Sequence, residues 1–192
     1  MRLSRLVQNI LSVYARATQE QREQGAGWFA VAHLHARLMA QRFGITTAQA
    51  AAILAAFSPA TAWDANLAHA WAFLRGEQPP TLRMNIRKAQ AIFDGADPEA
   101  VLRTDRSSGK VWAFFCNIIE PTSSDLVTID RHAFDAALGV KFIGNNRPFS
   151  DMRNGNVYAL MSKAYKLAGE QVGLLGNQMQ GIVWWVWREG SP

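Results

Sequence analysis

Apolar positions recur along this chain at a helical period. From Leu3 to Glu23, the residues Leu3, Leu6, Val7, Ile10, Leu11 and Tyr14 fall on one side of a helix. Gly25 and Gly27 are expected to break it. A second helix runs from Trp28 to Phe43 and ends at Gly44, which suits a left-handed C-terminal cap. Thr46 or Thr47 caps a third, from Ala48 to Phe57. It is apolar on nearly every side and so reads as a buried central helix. Ser58 and Pro59 stop it, because the residue before proline avoids the helical region. Thr61 or Ala62 opens the next helix, which reaches Leu74. After a loop at 76–80, the stretch from Thr81 to Phe93 is amphipathic. Leu82, Ile86, Ala89, Ile92 and Phe93 are predicted inward, and Arg83, Arg87 and Lys88 outward.

The second half continues in the same style. Asp97, Pro98 and Glu99 start a short helix through Val101 and Leu102. Ser107 or Ser108 caps another after Gly109, with Val111, Phe114, Phe115, Ile118 and Ile119 on one face. Val127 to Ile129 is a short extended apolar run that should be buried. It ends on Asp130, which can cap a helix through Ala133, Phe134, Ala137 and Leu138. Residues 139–148 read as a loop. Ser150 or Asp151 begins a helix through Tyr158, Met161, Tyr165 and Leu167. A final helix at 177–187 carries Trp184, Trp185 and Trp187, which argue for packing back onto the body. The pattern predicts an all-α protein of nine or ten helices.

Composition narrows this picture modestly. With 192 residues the chain is one domain or two small lobes, and 49% hydrophobic residues are ample for a core. The formal charge of +5 favours a polyanionic partner. From Arg131 to Lys166, six basic residues face two acidic ones, a local excess of four. A single cysteine, Cys116, excludes an intramolecular disulfide and a four-cysteine cluster. His33 and His35 are two apart on a helix and so cannot chelate one metal together. No apolar run approaches the length of a membrane span, and no signal-peptide pattern opens the chain, so a cytoplasmic protein is expected.

Two positions carry the candidate chemistry. Gly109 allows positive φ at a tight turn, and Lys110 follows it at the mouth of a helix. A helix N-terminus carries partial positive charge, so an ammonium there is mildly disfavoured and a neutral, nucleophilic amine is favoured. Asp130, twenty residues later, sits at the mouth of the next helix, whose amides are expected to hold its carboxylate as the anion.

Gly-Lys opening a helix, followed about twenty residues on by an apolar-Asp-x-His sequence at the next, resembles the helix-hairpin-helix DNA glycosylase superfamily. The stretch from Ala56 to Asn66 is similar to that family's Ser-x-Gln-Thr-x-Asp junction, and the stretch from Asn85 to Ile92 to its Lys-Ala-x-x-Ile helix. The three blocks stand in the family's order, over roughly 50–139. Two departures are visible. The family's Leu-Pro-Gly-Val-Gly hairpin is replaced by the six residues from Thr104 to Gly109, and its glutamine near Ala60 is missing. With these departures the chain resembles a divergent, phage-type branch, some of whose relatives modify bases instead of excising them.

The resemblance implies a single glycosylase-like domain over 1–192, two-lobed and helical, with the hairpin at about 97–119. It implies a DNA N-glycosylase, with or without lyase activity, acting on a flipped base, ordinary or modified, in DNA repair or DNA modification. Asp130 then supports loss of the base, and Lys110 is the Schiff-base nucleophile of a lyase. Ser58, Thr61, Trp63, Asn66 and His132 line the substrate site, in a pocket expected between the 58–66 junction and the Lys110/Asp130 pair. Arg87, Lys88, Arg106, Ser107, Ser108, Gly109 and Arg131 contact DNA. No cofactor or metal is called for, and the expected partner is DNA, with a monomeric protein in a bacterial or phage-infected cell. Two other outcomes fit the same residues: a phage base-hypermodification enzyme, and a non-catalytic DNA-binding module.

Overall fold

Helix signals dominate the sequence, and ten α-helices with no strand account for the regular structure among the described residues of the computed structural model. Those residues are 1–103, 109–142 and 154–189. The helices are α1 (Leu3–Tyr14), α2 (Gln19–Phe43), α3 (Thr47–Phe57), α4 (Trp63–Leu74), α5 (Arg83–Phe93), α6 (Pro98–Leu102), α7 (Lys110–Ile119), α8 (Arg131–Leu138), α9 (Gly155–Glu170) and α10 (Gly176–Glu189). Among the described residues no helix is long and apolar enough to cross a membrane. The chain divides into two compact units. One comprises Met1–Ala30 and Glu120–Pro192, the other Val31–Ile119.

The continuous unit, Val31–Ile119, is built on α3. Every residue from Ala50 to Phe57 is buried there, as the all-apolar pattern requires. Thr46 closes a capping box with Gln49, and α4, α5, α6 and α7 pack on α3. The Gln49 side-chain amide also donates to the carbonyl of Ile92, 3.2 Å away, which ties the start of α3 to the end of α5. The inward face of α5 is Asn85, Ala89 and Ile92. Two residues read as inward are not. Leu82 is 62% exposed because it is the N-cap, outside the helix, and Phe93 at the last position is 40% exposed.

The other unit packs α1, α8, α9 and α10 around Leu6, Ile10, Phe134, Met161, Tyr165, Ile182 and Val183. The Asn9 amide donates to the Ala137 carbonyl at the end of α8 (2.9 Å), and Gly139 closes that helix at φ 70°. The helix expected from Ser150 or Asp151 is instead capped by Asn154, whose side chain accepts from the amides of Asn156 and Val157. Ser150 and Asp151 lie outside the described residues.

The largest departure from the sequence reading is at Gly25 and Gly27. Neither breaks a helix, since α2 runs through both. A mid-helix glycine costs about 1 kcal/mol relative to alanine, and at Gly25 close packing accounts for it. A Cβ there would lie 2.5 Å from the Ile182 Cα on α10, and a Cβ on Gly181 would meet the Gly25 carbonyl. The two glycines let two backbones touch. A Cβ on Gly27, by contrast, would meet nothing within 4 Å. Gly25→Ala and Gly181→Ala should therefore destabilise by about 1–3 kcal/mol through overpacking. Gly27→Ala should stabilise by up to about 1 kcal/mol. Urea unfolding of the three variants checks this.

Candidate active site

The run from Val127 to Ile129 is buried and belongs to neither a helix nor a sheet. Its backbone groups need partners, and the Tyr158 hydroxyl of α9 supplies them on both sides of Thr128. It donates to the Val127 carbonyl (2.8 Å) and accepts from the Ile129 amide (3.3 Å). Burial pushes the Tyr158 hydroxyl well above its ordinary pKa, so it stays protonated and keeps donating. The fully buried Tyr165 hydroxyl, raised for the same reason, donates to the Ala133 carbonyl at 2.8 Å. Two tyrosines of α9 thus fix the segment that leads into α8.

That segment delivers Asp130. Its Oδ1 accepts from the amides of His132 (2.9 Å) and Ala133 (2.8 Å), which makes it the N-cap of α8 as the sequence predicts. Its Oδ2 accepts from the indole Nε1 of Trp184 on α10, at 2.9 Å. The carboxylate is half-buried and meets three N–H donors. An N-cap of this type is worth about 0.5–2 kcal/mol, and a hydrogen bond to a charged group about 1.5–3 kcal/mol.

Three further side chains gather around it. Arg188 stacks its guanidinium over the Trp184 ring, 4.5 Å from the centroid. His132 meets the same indole edge-on, with centroids 6.2 Å apart at 89°. Arg131 Nε donates to His132 Nε2 at 3.2 Å, which leaves the imidazole proton on Nδ1. Burial, and then the neighbouring Arg131 and Arg188, hold His132 below the ordinary histidine value against the opposing pull of Asp130 and Asp135.

The other sequence-predicted residues belong to the Val31–Ile119 unit, so Lys110 and Asp130 fall in different units. Lys110 is the first residue of α7, half-buried, directly after Gly109 at φ 79°. Ser58 and Thr61 use their hydroxyls locally. Ser58 donates to the Ala55 carbonyl (2.8 Å) and Thr61 to that of Pro59 (3.0 Å). Both brace a turn in which Ala60 takes φ 58°. Trp63 contacts His35 and Phe114 edge-on. Asn66 is 2% exposed, and its Oδ1 has no hydrogen-bond partner among the described residues. The same holds for His69 Nδ1 and for Nδ2 of Asn85, which is 4% exposed. His69 meets the Phe57 ring edge-on at 6.2 Å. Arg87 is exposed and Lys88 half-buried on α5. Arg106, Ser107 and Ser108 lie outside the described residues. Among the described residues no three of His, Cys, Asp and Glu converge as a metal site would require.

Two residues apart on one helix, Asp130 and His132 are expected to face different ways, yet both meet Trp184. Sequence reasoning also assigned no role to Tyr158, Trp184 or Arg188. The only signal for them was the tryptophan density of the last helix. The lowered His132 has a consequence for stability. Between its folded value and the ordinary 6.5, the unfolded chain binds more protons than the folded one. Stability from this group is therefore full above pH 6.5 and lost as pH falls toward the folded value. NMR titration should place His132 below 6.5, and His132→Gln should flatten the fall in stability on the acid side of that pH.

No curated protein and no solved structure matches the chain. A family model described as a family of unknown function, DUF7178, matches residues 1–191. The chain therefore belongs to the DUF7178 family.

Proposed function

We propose that this protein is a DNA-acting enzyme of the glycosylase kind, working at the N-glycosidic bond of an extruded base, with Asp130 as its catalytic carboxylate. The observation that carries this reading is the Asp130 carboxylate itself. It is half-buried and held by two helix amides and one indole N–H, with Arg131 and Arg188 placed on the neighbouring His132 and Trp184. The sequence blocks that resemble the helix-hairpin-helix glycosylases support it, as does the net charge of +5.

The chemistry follows from what the bond needs. When C1′ and the base nitrogen part, the bonding electrons leave with the base and positive charge develops on the sugar. A carboxylate fixed in advance stabilises that charge without reorganising. Water then adds at C1′ and passes its proton to the carboxylate. In the lyase variant the Lys110 amine adds at C1′ in place of water as the base leaves, and gives up a proton. It becomes a Schiff base when the C1′–ring oxygen bond breaks and that oxygen takes up a proton. The base must leave the duplex stack first.

A simple Asp130→Asn exchange is less neutral than the cap alone implies. It would set a side-chain NH2 against the Trp184 indole N–H, and one hydrogen bond to that group is worth about 1.5–3 kcal/mol. The clean comparison starts from Trp184→Phe, where that donor is absent. Adding Asp130→Asn to Trp184→Phe should leave folding and DNA affinity close to those of the single variant. Base release, followed by mass spectrometry of incubated DNA, should slow by about a hundredfold or more. Unaltered base release in the double variant would make Asp130 a structural cap only. A base of changed mass retained in the polymer would instead assign substitution on the base. Borohydride should trap the wild-type protein on substrate DNA, and Lys110→Gln should abolish trapping. Base release without trapping would make water the nucleophile.

A further inference from the structure

Beside the Asp130 carboxylate stand two guanidiniums that nothing in the proposed chemistry uses. Arg131 and Arg188 are both exposed, and among the described residues no carboxylate lies within ion-pair distance of either. Each is nonetheless held in place. Arg131 is anchored by Nε to His132 Nε2, which leaves its two terminal nitrogens for another acceptor. Arg188 holds its guanidinium over the Trp184 ring, 4.5 Å from the centroid, and no carboxylate among the described residues takes up its N–H groups. Trp184 connects the two sets of groups. Its N–H holds Asp130, one ring contact holds Arg188, and another meets His132.

Two like charges held near one half-buried imidazole, with no acid paired to them among the described residues, repel each other. Burial first, and then both guanidiniums, push His132 toward its neutral form, against Asp130 and Asp135. Solvated surface arginines would splay apart, whereas here one is stacked and the other hydrogen-bonded.

The structure assigns Arg131, His132 and Arg188, grouped on Trp184 beside Asp130, to the capture of a phosphate group, which we take to be the phosphodiester next to the reacting nucleotide. This rests on the DNA reading above and adds a subsite to it. The forked guanidinium edge matches phosphate geometry. The order of charges also matches a nucleotide, which presents a sugar carbon that becomes positive beside a phosphate that is negative. A carboxylate held at one end and guanidiniums at the other meet both.

The test uses Arg188→Gln and Arg131→Gln, at two exposed positions. Oligonucleotide binding is measured across a salt series. In parallel, the His132 imidazole is titrated by NMR with and without inorganic phosphate, and with a mononucleotide. Each variant should bind DNA several-fold more weakly, with a log–log salt slope shallower by about one. Arg188→Lys, which keeps the charge, should keep most of the slope. Phosphate should raise the His132 titration in the wild type and do so much less in either Gln variant. Gln variants that bind DNA as the wild type does, with unchanged slopes, and a wild type whose His132 ignores phosphate would overturn the subsite and leave the DNA reading standing. A phosphate or mononucleotide response at His132 in a protein that binds no DNA would overturn the DNA reading and support the site as one for a small phosphorylated ligand.

Discussion

Both oxygens of the Asp130 carboxylate are tied, one to the first turn of α8 and the other to the indole of Trp184 on α10. Much of the surrounding unit is arranged to make that possible. The Tyr158 hydroxyl pins the segment before Asp130, and Tyr165 pins α8 just after it. The glycine contact between α2 and α10 places a backbone directly against the helix that carries Trp184. An anion this close to a buried core is tolerated because it is saturated with donors. The same saturation leaves it ready to face a positive charge.

Much of this could be read from the residues, for reasons that are local. The cap at Asp130 depends on its own helix, the left-handed ends at Gly44 and Gly139 on their own turns, and the burial of α3 on its own composition. Gly109 before Lys110 is of the same kind, and its φ of 79° is what a glycine there suggests. What could not be read depends on a partner far along the chain. Gly25 looks like a helix breaker until Gly181 and Ile182 are seen against it. Trp184 is 54 residues from the carboxylate it holds, and a tryptophan-rich helix says only that it packs. Leu82 and Phe93 fit the apolar stripe of α5, but they sit at its two ends, where the stripe no longer faces the core.

The Val31–Ile119 unit raises a different question. Its centre is a helix of small and apolar residues, yet Asn66, His69 and Asn85 each bury a polar atom with no partner among the described residues. Such an atom costs about 1–3 kcal/mol, and natural cores keep few of them. Asn66 belongs to the junction that the sequence blocks marked out, while Ser58 and Thr61 of that junction spend their hydroxyls on the turn. If the junction has a polar function, it lies with the amide rather than the hydroxyls.

The most direct measurement of the central claim uses DNA bearing a pyrrolidine nucleotide, whose ring nitrogen carries the positive charge that base loss would place on the sugar. Transition-state mimics bind at least about a hundredfold tighter than the ground state they replace. The wild-type protein should therefore prefer this DNA by at least about that factor over the same DNA with a neutral tetrahydrofuran nucleotide. In the Trp184→Phe background, adding Asp130→Asn should abolish the preference. Equal affinity of the wild-type protein for the two DNAs, or a preference that survives loss of the carboxylate, would contradict the role given to Asp130.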